Sequence, residues 1–107
     1  MPVADIYEDD NSVRLMIEMP GLSENEESVQ LENNILSVIG ERKLPNEEEI
    51  RRFNRIERCY GEMTRSFTIG PIIDQEAIDA TMDKGMLVVT LPKREESKAK
   101  QIEIKVQ

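Results

Sequence analysis

Apolar side chains recur at every second position along most of this chain, the repeat of half-buried β-strands. Val13, Leu15 and Ile17 alternate with Arg14, Met16 and Glu18, and Pro20-Gly21 stops the run. Val29 and Leu31 alternate with Gln30 and Glu32. Asn33-Asn34 follows as a turn, because asparagine tolerates left-handed backbone angles. From Ile35 to Ile39 only Ser37 interrupts the apolar character, so this reads as a more central strand ending at Gly40. Met63, Arg65, Phe67 and Ile69 share one face of the next strand, closed by Gly70-Pro71. Ile78, Ala80 and Met82 form another, and Asp83-Lys84-Gly85 turns the chain into a strand from Met86 to Leu91. One more strand is expected near Ala4 to Tyr7. Short strands, closely spaced turns and no helical stretch of useful length predict an all-β fold, an immunoglobulin-like antiparallel β-sandwich. The capping-box pattern Ser23-Glu24-Asn25-Glu26 nucleates one helical turn at most.

Two segments break this rhythm. Arg42 to Asn54 is long, contains Pro45 and the acidic run Glu47-Glu48-Glu49, and has few apolar anchors. Loops of that length in a compact domain are usually functional or disordered. A short strand, Phe53 to Arg58, is expected far out on this arm, where it can pair with another subunit's sheet. The second segment is the tail. After Pro92-Lys93 comes a charged stretch, then Ile102-Glu103-Ile104 almost at the end. In an extended strand both isoleucines point the same way, as a plug for a groove on this molecule or a neighbour. The competing reading makes Ile102, Ile104 and Val106 a last strand of their own domain.

Composition narrows the function classes. A chain of 107 residues is one domain with a modest core. A net charge of −8, with basic residues interleaved among acids, argues against a nucleic-acid partner and favours self-repulsion and solubility. No apolar run reaches membrane-spanning length, and no signal-peptide order opens the chain, so no membrane partner and a cytoplasmic setting are expected. The chain has no histidine and one cysteine, which removes Ser-His-Asp and Cys-His catalysis and the usual zinc sites. Cys59 reads as a spectator thiol. Carboxylates are abundant but lack flanking aromatic platforms, and no phosphate-cradling glycine pattern occurs. No enzyme activity, cofactor or metal is expected.

Residues in matching order over nearly the whole chain resemble the small heat shock protein family, specifically its α-crystallin domain of bacterial and plant type. They are Asp5-Ile6-Tyr7-Glu8, Met19-Pro20-Gly21-Leu22, Leu36 to Arg42, Glu57-Arg58-Cys59-Tyr60-Gly61, Met63-Thr64-Arg65-Ser66-Phe67, and Ala80 through Gly85 to Leu87. The tail Ile102-Glu103-Ile104 resembles the family's Ile-X-Ile element. The resemblance implies an ATP-independent holdase that binds partly unfolded client proteins and prevents their aggregation. It also implies homodimers that exchange the arm strand, with Phe53, Arg55, Ile56, Glu57 and Arg65 at the dimer contact. Higher oligomers follow when Ile102 and Ile104 enter a neighbour's groove between the strands Ser28 to Glu32 and Ala77 to Asp83. The walls of that groove would be Val29, Leu31, Ile78, Ala80 and Met82. The expected division is a domain over residues 1–93, with the arm at 42–58, and an extension over 94–107.

Arg65 shares a face with Met63, Phe67 and Ile69, an odd place for a guanidinium unless it is paired. An acid of the arm, among Glu47, Glu48, Glu49 and Glu57, is the expected partner. Met16 and Met86 are candidate client contacts, as flexible thioethers on the less regular strand faces. The sequence departs from the family at Glu27, where an apolar residue is common, at Lys84, where asparagine is usual, and at Met63, which replaces a common phenylalanine. The family's long apolar N-terminal arm is also missing, with only three residues between Met1 and Asp5. That reads as either a truncation or a naturally minimal chain. The alternatives to a holdase are a structural assembly module and a co-chaperone of the same sandwich type.

Overall fold

Strands form where the two-residue repeat predicts them. The computed structural model describes residues 2–98, Ile104 and Val106. Its strands are β1 (Ala4–Glu8), β2 (Ser12–Glu18), β3 (Glu27–Glu32), β4 (Ile35–Arg42), β5 (Gly61–Thr68), β6 (Asp79–Asp83) and β7 (Met86–Pro92). They make two antiparallel sheets, one in the order β1-β2-β7-β6 and one in the order β3-β4-β5. β4, the segment with apolar residues on both faces, is indeed central in its sheet, and it runs two residues beyond Gly40.

Register follows from the turns. Asn33 and Asn34 have φ of 52° and 64°, and Lys84 and Gly85 have 52° and 76°. Two successive positive φ values mark the primed hairpin turns that match the twist of the flanking strands. Gly85 has a second constraint, since a Cβ there would sit 3.3 Å from the Pro20 backbone. That closeness lets its carbonyl accept the Met19 N–H at 2.8 Å, tying the β6–β7 turn to the end of β2. With register fixed, Leu15 and Ile17 of β2 and Leu87, Val89 and Leu91 of β7 face Leu36 and Val38 of β4. Met19, Leu22, Ile69 and Ile73 complete the buried cluster from the strand ends and turns.

The capping-box pattern produces the single turn expected of it, a 3₁₀ turn over Glu24–Glu26. Glu26 Oε1 accepts the Ser23 N–H at 2.9 Å and the Ser23 hydroxyl at 2.8 Å. The chain stays bonded to the sandwich slightly past the expected boundary at Lys93. The Arg94 N–H donates to the Ile72 carbonyl at 2.7 Å, and its Nε to the Pro71 carbonyl at 3.0 Å.

The arm differs from expectation twice. Phe53 to Arg58 forms no strand in the single chain. A strand exists only where a neighbour completes its hydrogen bonds, and none of the described residues pairs with this segment. A short helix, α1 (Glu47–Ile50), stands earlier on the arm where no helix was expected. Asn46 caps it, its side-chain oxygen accepting the Glu49 N–H at 2.8 Å. The three glutamates of its first turn are stabilised by the positive end of the helix dipole.

Two predictions follow from the packing and the cap. Leu36 is fully enclosed in the middle of β4, so Leu36→Ala should remove about 2–5 kcal/mol of stability. Urea unfolding should show a lower midpoint at unchanged slope. The Glu26 carboxyl is held below the usual carboxylate range, first by the Ser23 N–H and then by the Ser23 hydroxyl. A folded pKa below the unfolded one gives stability above the unfolded value, lost as pH falls through the folded value. Glu26→Gln should therefore be less stable than the parent at neutral pH, with the deficit shrinking in acid. An equal deficit at every pH would contradict this.

Candidate functional site

A sandwich whose sheets do not close on each other has open margins. On one margin β3 and β6, an edge strand from each sheet, stand apart. Between them lies a cavity of about 530 Å³ lined by Glu27, Ser28, Val29, Ala80, Thr81, Met82 and Leu87. Its floor is apolar because alternate residues of both strands turn inward. Val29 and Met82 pack against the buried cluster, and Leu87 belongs to it. Of the expected wall residues, Val29, Ala80 and Met82 line this cavity. Leu31 stands farther along β3 and is 36% exposed, while Ile78 precedes β6, which begins at Asp79. Glu27, Ser28, Thr81 and Leu87 were not foreseen as lining. The signal for Glu27 was available, as it shares the strand parity of Val29 and Leu31.

Of the two hooks expected to fill such a groove, Ile104 is not folded into its own core. Ile104 is 88% exposed and Val106 is 95% exposed. Ile102 lies outside the described residues.

The opposite margin is bounded by β1 and β5, the other two edge strands. A second cavity, of about 410 Å³, opens there among Ile6, Val13, Leu15, Phe67, Ile69, Ile73 and Leu91. Ile6 and Tyr7 leave much of their apolar surface in solvent on β1. On the arm, Phe53 is 49% exposed and Ile56 is 40% exposed, and Arg55 and Glu57 are also exposed. The expected dimer-contact residues of the arm are thus exposed, and among the described residues no strand pairs with the outer edge of β1.

Arg65 does face inward with Met63 and Phe67, but its partner is not the expected one. Its Nη1 donates to the Pro2 carbonyl at 2.9 Å, and the guanidinium lies 5.3 Å from the centre of the Phe67 ring. None of Glu47, Glu48, Glu49 and Glu57 pairs with it among the described residues. A backbone carbonyl and an aromatic face satisfy the cation at lower desolvation cost than a buried carboxylate. Arg65 therefore latches the start of the chain against β5.

Arg42 had been given no role, yet it anchors the arm. One guanidinium nitrogen donates to the Cys59 carbonyl at 2.8 Å, and the other donates to the Pro20 carbonyl. The side chain thereby clamps the arm's returning end to the turn after β2. Gly21 makes room in that turn, with a φ of 82° and the Arg58 guanidinium 2.9 Å from where a Cβ would stand. Cys59 itself is an exposed free thiol. Met16 and Met86 are half-buried. Among the described residues no cluster of three or more Cys, Asp or Glu could hold a metal, and no helix is long and apolar enough to cross a membrane.

The comparisons with known proteins agree with this geometry. The model of the Hsp20/alpha crystallin family matches residues 5–107. Small heat shock protein C2 of Rickettsia felis is 33% identical over 105 residues, covering 98% of this chain and 68% of the relative. The 17.3 kDa class II heat shock protein of Solanum peruvianum is 40% identical over 107 residues, covering 96% of this chain and 69% of the relative. The chain thus spans roughly two thirds of the length of these relatives. Among solved structures, the small heat-shock protein of Xylella fastidiosa superposes with a TM-score of 0.83 at 33% identity, over 99% of this chain and 97% of that one. HspA of Xanthomonas axonopodis gives 0.77 at 38% identity, over 92% and 96%. A two-sheet sandwich with an open margin between β3 and β6, matched by the family model from Asp5 onward, is an α-crystallin domain, and the chain belongs to the Hsp20/alpha crystallin family of small heat shock proteins.

Proposed function

We propose that this chain is an ATP-independent holdase, which binds partly unfolded proteins and keeps them from aggregating. The observation that carries the reading is the open groove between β3 and β6, floored by Val29, Ala80, Met82 and Leu87, in a member of a chaperone family. Sticky surface of this kind serves chaperoning when the rest of the molecule resists association, and a net charge of −8 provides that resistance. The reading takes clients and other copies of the chain as partners, not nucleic acid or a membrane, and its setting is the cytoplasm.

Assembly in this reading uses both margins. Arm residues Phe53 to Arg58 gain strand pairing on the exposed β1 edge of a second copy, giving a homodimer. Ile102 and Ile104 enter the β3–β6 groove of a neighbour, against Val29, Leu31, Ile78, Ala80 and Met82, and link dimers into larger particles. Residues 94–107 act as the extension and the preceding residues as the domain. Burying two isoleucines contributes about 3–6 kcal/mol, and ordering the tail offsets about half of it. The link is therefore weak and reversible. A client's apolar segment can compete for the groove when the tail leaves it.

Without nucleotide, the protein in excess should suppress light scattering from a heated or chemically reduced model client. No suppression at any ratio would leave only a structural assembly module, or a co-chaperone of the same sandwich type. Ile102→Ala/Ile104→Ala should lower the native mass from oligomer to dimer, read by sedimentation or native mass spectrometry. Arg65→Ala should weaken the dimer, because the latch on Pro2 fixes the approach to β1, the strand on which the arm pairs. Concentration-dependent sedimentation would show dissociation at higher protein concentration than in the parent.

A further inference from the structure

The two surfaces that the tail–groove reading joins carry the same pattern. Leu31 and Val29 pair across the sheet with the buried Leu36 and Val38, so the inward row of β3 is Glu27, Val29, Leu31. Along that row the chemistry runs acid, apolar, apolar. Ser28 and Gln30 point the other way and are exposed. In an extended tail, one row is Lys100, Ile102, Ile104, Val106, which runs base, apolar, apolar, apolar. Both rows have the same spacing of two residues.

We propose, resting on the tail–groove reading, that the tail of one copy docks along β3 of another in a single polarity, with Lys100 against Glu27. Ile102 then lies over Val29, beside Ala80 and Met82 at the deep end of the groove, and Ile104 lies over Leu31. Val106 passes beyond Leu31 toward the Asn33–Asn34 turn and contributes least. The reversed polarity matches poorly. It sets Val106, an apolar side chain, over the acidic end of the row and carries Lys100 out past Leu31, away from Glu27. Charge favours the tail as occupant. Residues 98–107 contain Lys98, Lys100 and Lys105 against Glu103, whereas β3 and β6 carry Glu27, Glu32, Asp79 and Asp83 and no Lys or Arg. A basic strand is steered to an acidic-rimmed slot, and the half-buried Glu27 sets its direction. An acid in place of the family's common apolar residue thus has a use specific to this chain.

The test is binding of a fluorescein-labelled peptide of residues 98–107 to the full chain, read by anisotropy. Lys100→Glu in the peptide should weaken binding to the unmodified chain about fivefold, and Glu27→Lys in the chain should weaken the unmodified peptide similarly. The two reversals combined should restore binding to near the original value. A combined variant no tighter than the weaker single reversal overturns the polarity. Circular dichroism checks that Glu27→Lys is folded. If it is not, Glu27→Gln replaces it, and on that chain the two peptides should bind alike. A persisting fivefold difference there overturns the proposal. A peptide with Ile102→Ala/Ile104→Ala separates the two levels. If it binds as well as the parent, docking itself fails; if it loses binding while the reversals show no coupling, docking stands and the polarity fails.

Discussion

A four-stranded sheet laid over a three-stranded one has four edges, and the backbone donors and acceptors along them must find partners or water. Closure into a barrel would remove the edges, but the two sheets here stay separate. The edges instead gather in pairs, β3 with β6 and β1 with β5, and each pair frames an opening onto the apolar interior. An exposed edge beside an apolar slot accepts an extended segment, with hydrogen bonds from the backbone and selectivity from alternate side chains.

The same constraint explains where apolar residues lie outside the core. Ile6 and Tyr7 stand on β1, Leu31 on β3, Phe53 and Ile56 on the arm, and Ile104 and Val106 on the tail. These lie on edges and on segments that could cover edges, whereas Ile35 at the start of central β4 and Ile72 in the loop after β5 are exposed elsewhere. The faces are held in solution by charge, with acids outnumbering bases 22 to 14. Apolar surface concentrated at the margins and charge over the remainder is the division of surface that the proposed holdase reading requires.

Most of the fold was legible because a half-buried strand writes itself as a repeat of two. Each strand of the sandwich, the central place of β4 and both primed hairpins could be read from alternation and turn residues. What escaped notice was local or three-dimensional. Helix α1 was signalled by Asn46 ahead of three glutamates, a cap that the acidic run concealed as mere charge. Phe53 to Arg58 looked like a strand because its composition suits one, yet strand geometry needs a second backbone that the described residues do not supply. Arg65 was recognised as misplaced, but its carbonyl partner at Pro2 is 63 residues away, and no sequence rule links a guanidinium to a distant main-chain oxygen. Of the groove, the family resemblance implied Val29, Ala80 and Met82, and strand parity with Val29 would have added Glu27. The contribution of Leu87 depends on how β7 underlies both margins.

The Arg42 clamp bears on how cheaply the arm can be used. A flexible excursion between two strands spends most of its freedom when its far end is captured, and the entropy lost grows with the number of residues released. By bonding the Cys59 carbonyl to the Pro20 turn, Arg42 has already immobilised the returning root, and capped α1 has ordered part of the outgoing one. The segment still to be frozen on meeting a second molecule is reduced to the tip around Phe53 to Glu57. Such preorganisation moves the cost of association from the encounter into the folding of the single chain, where a guanidinium between two carbonyls has already met it.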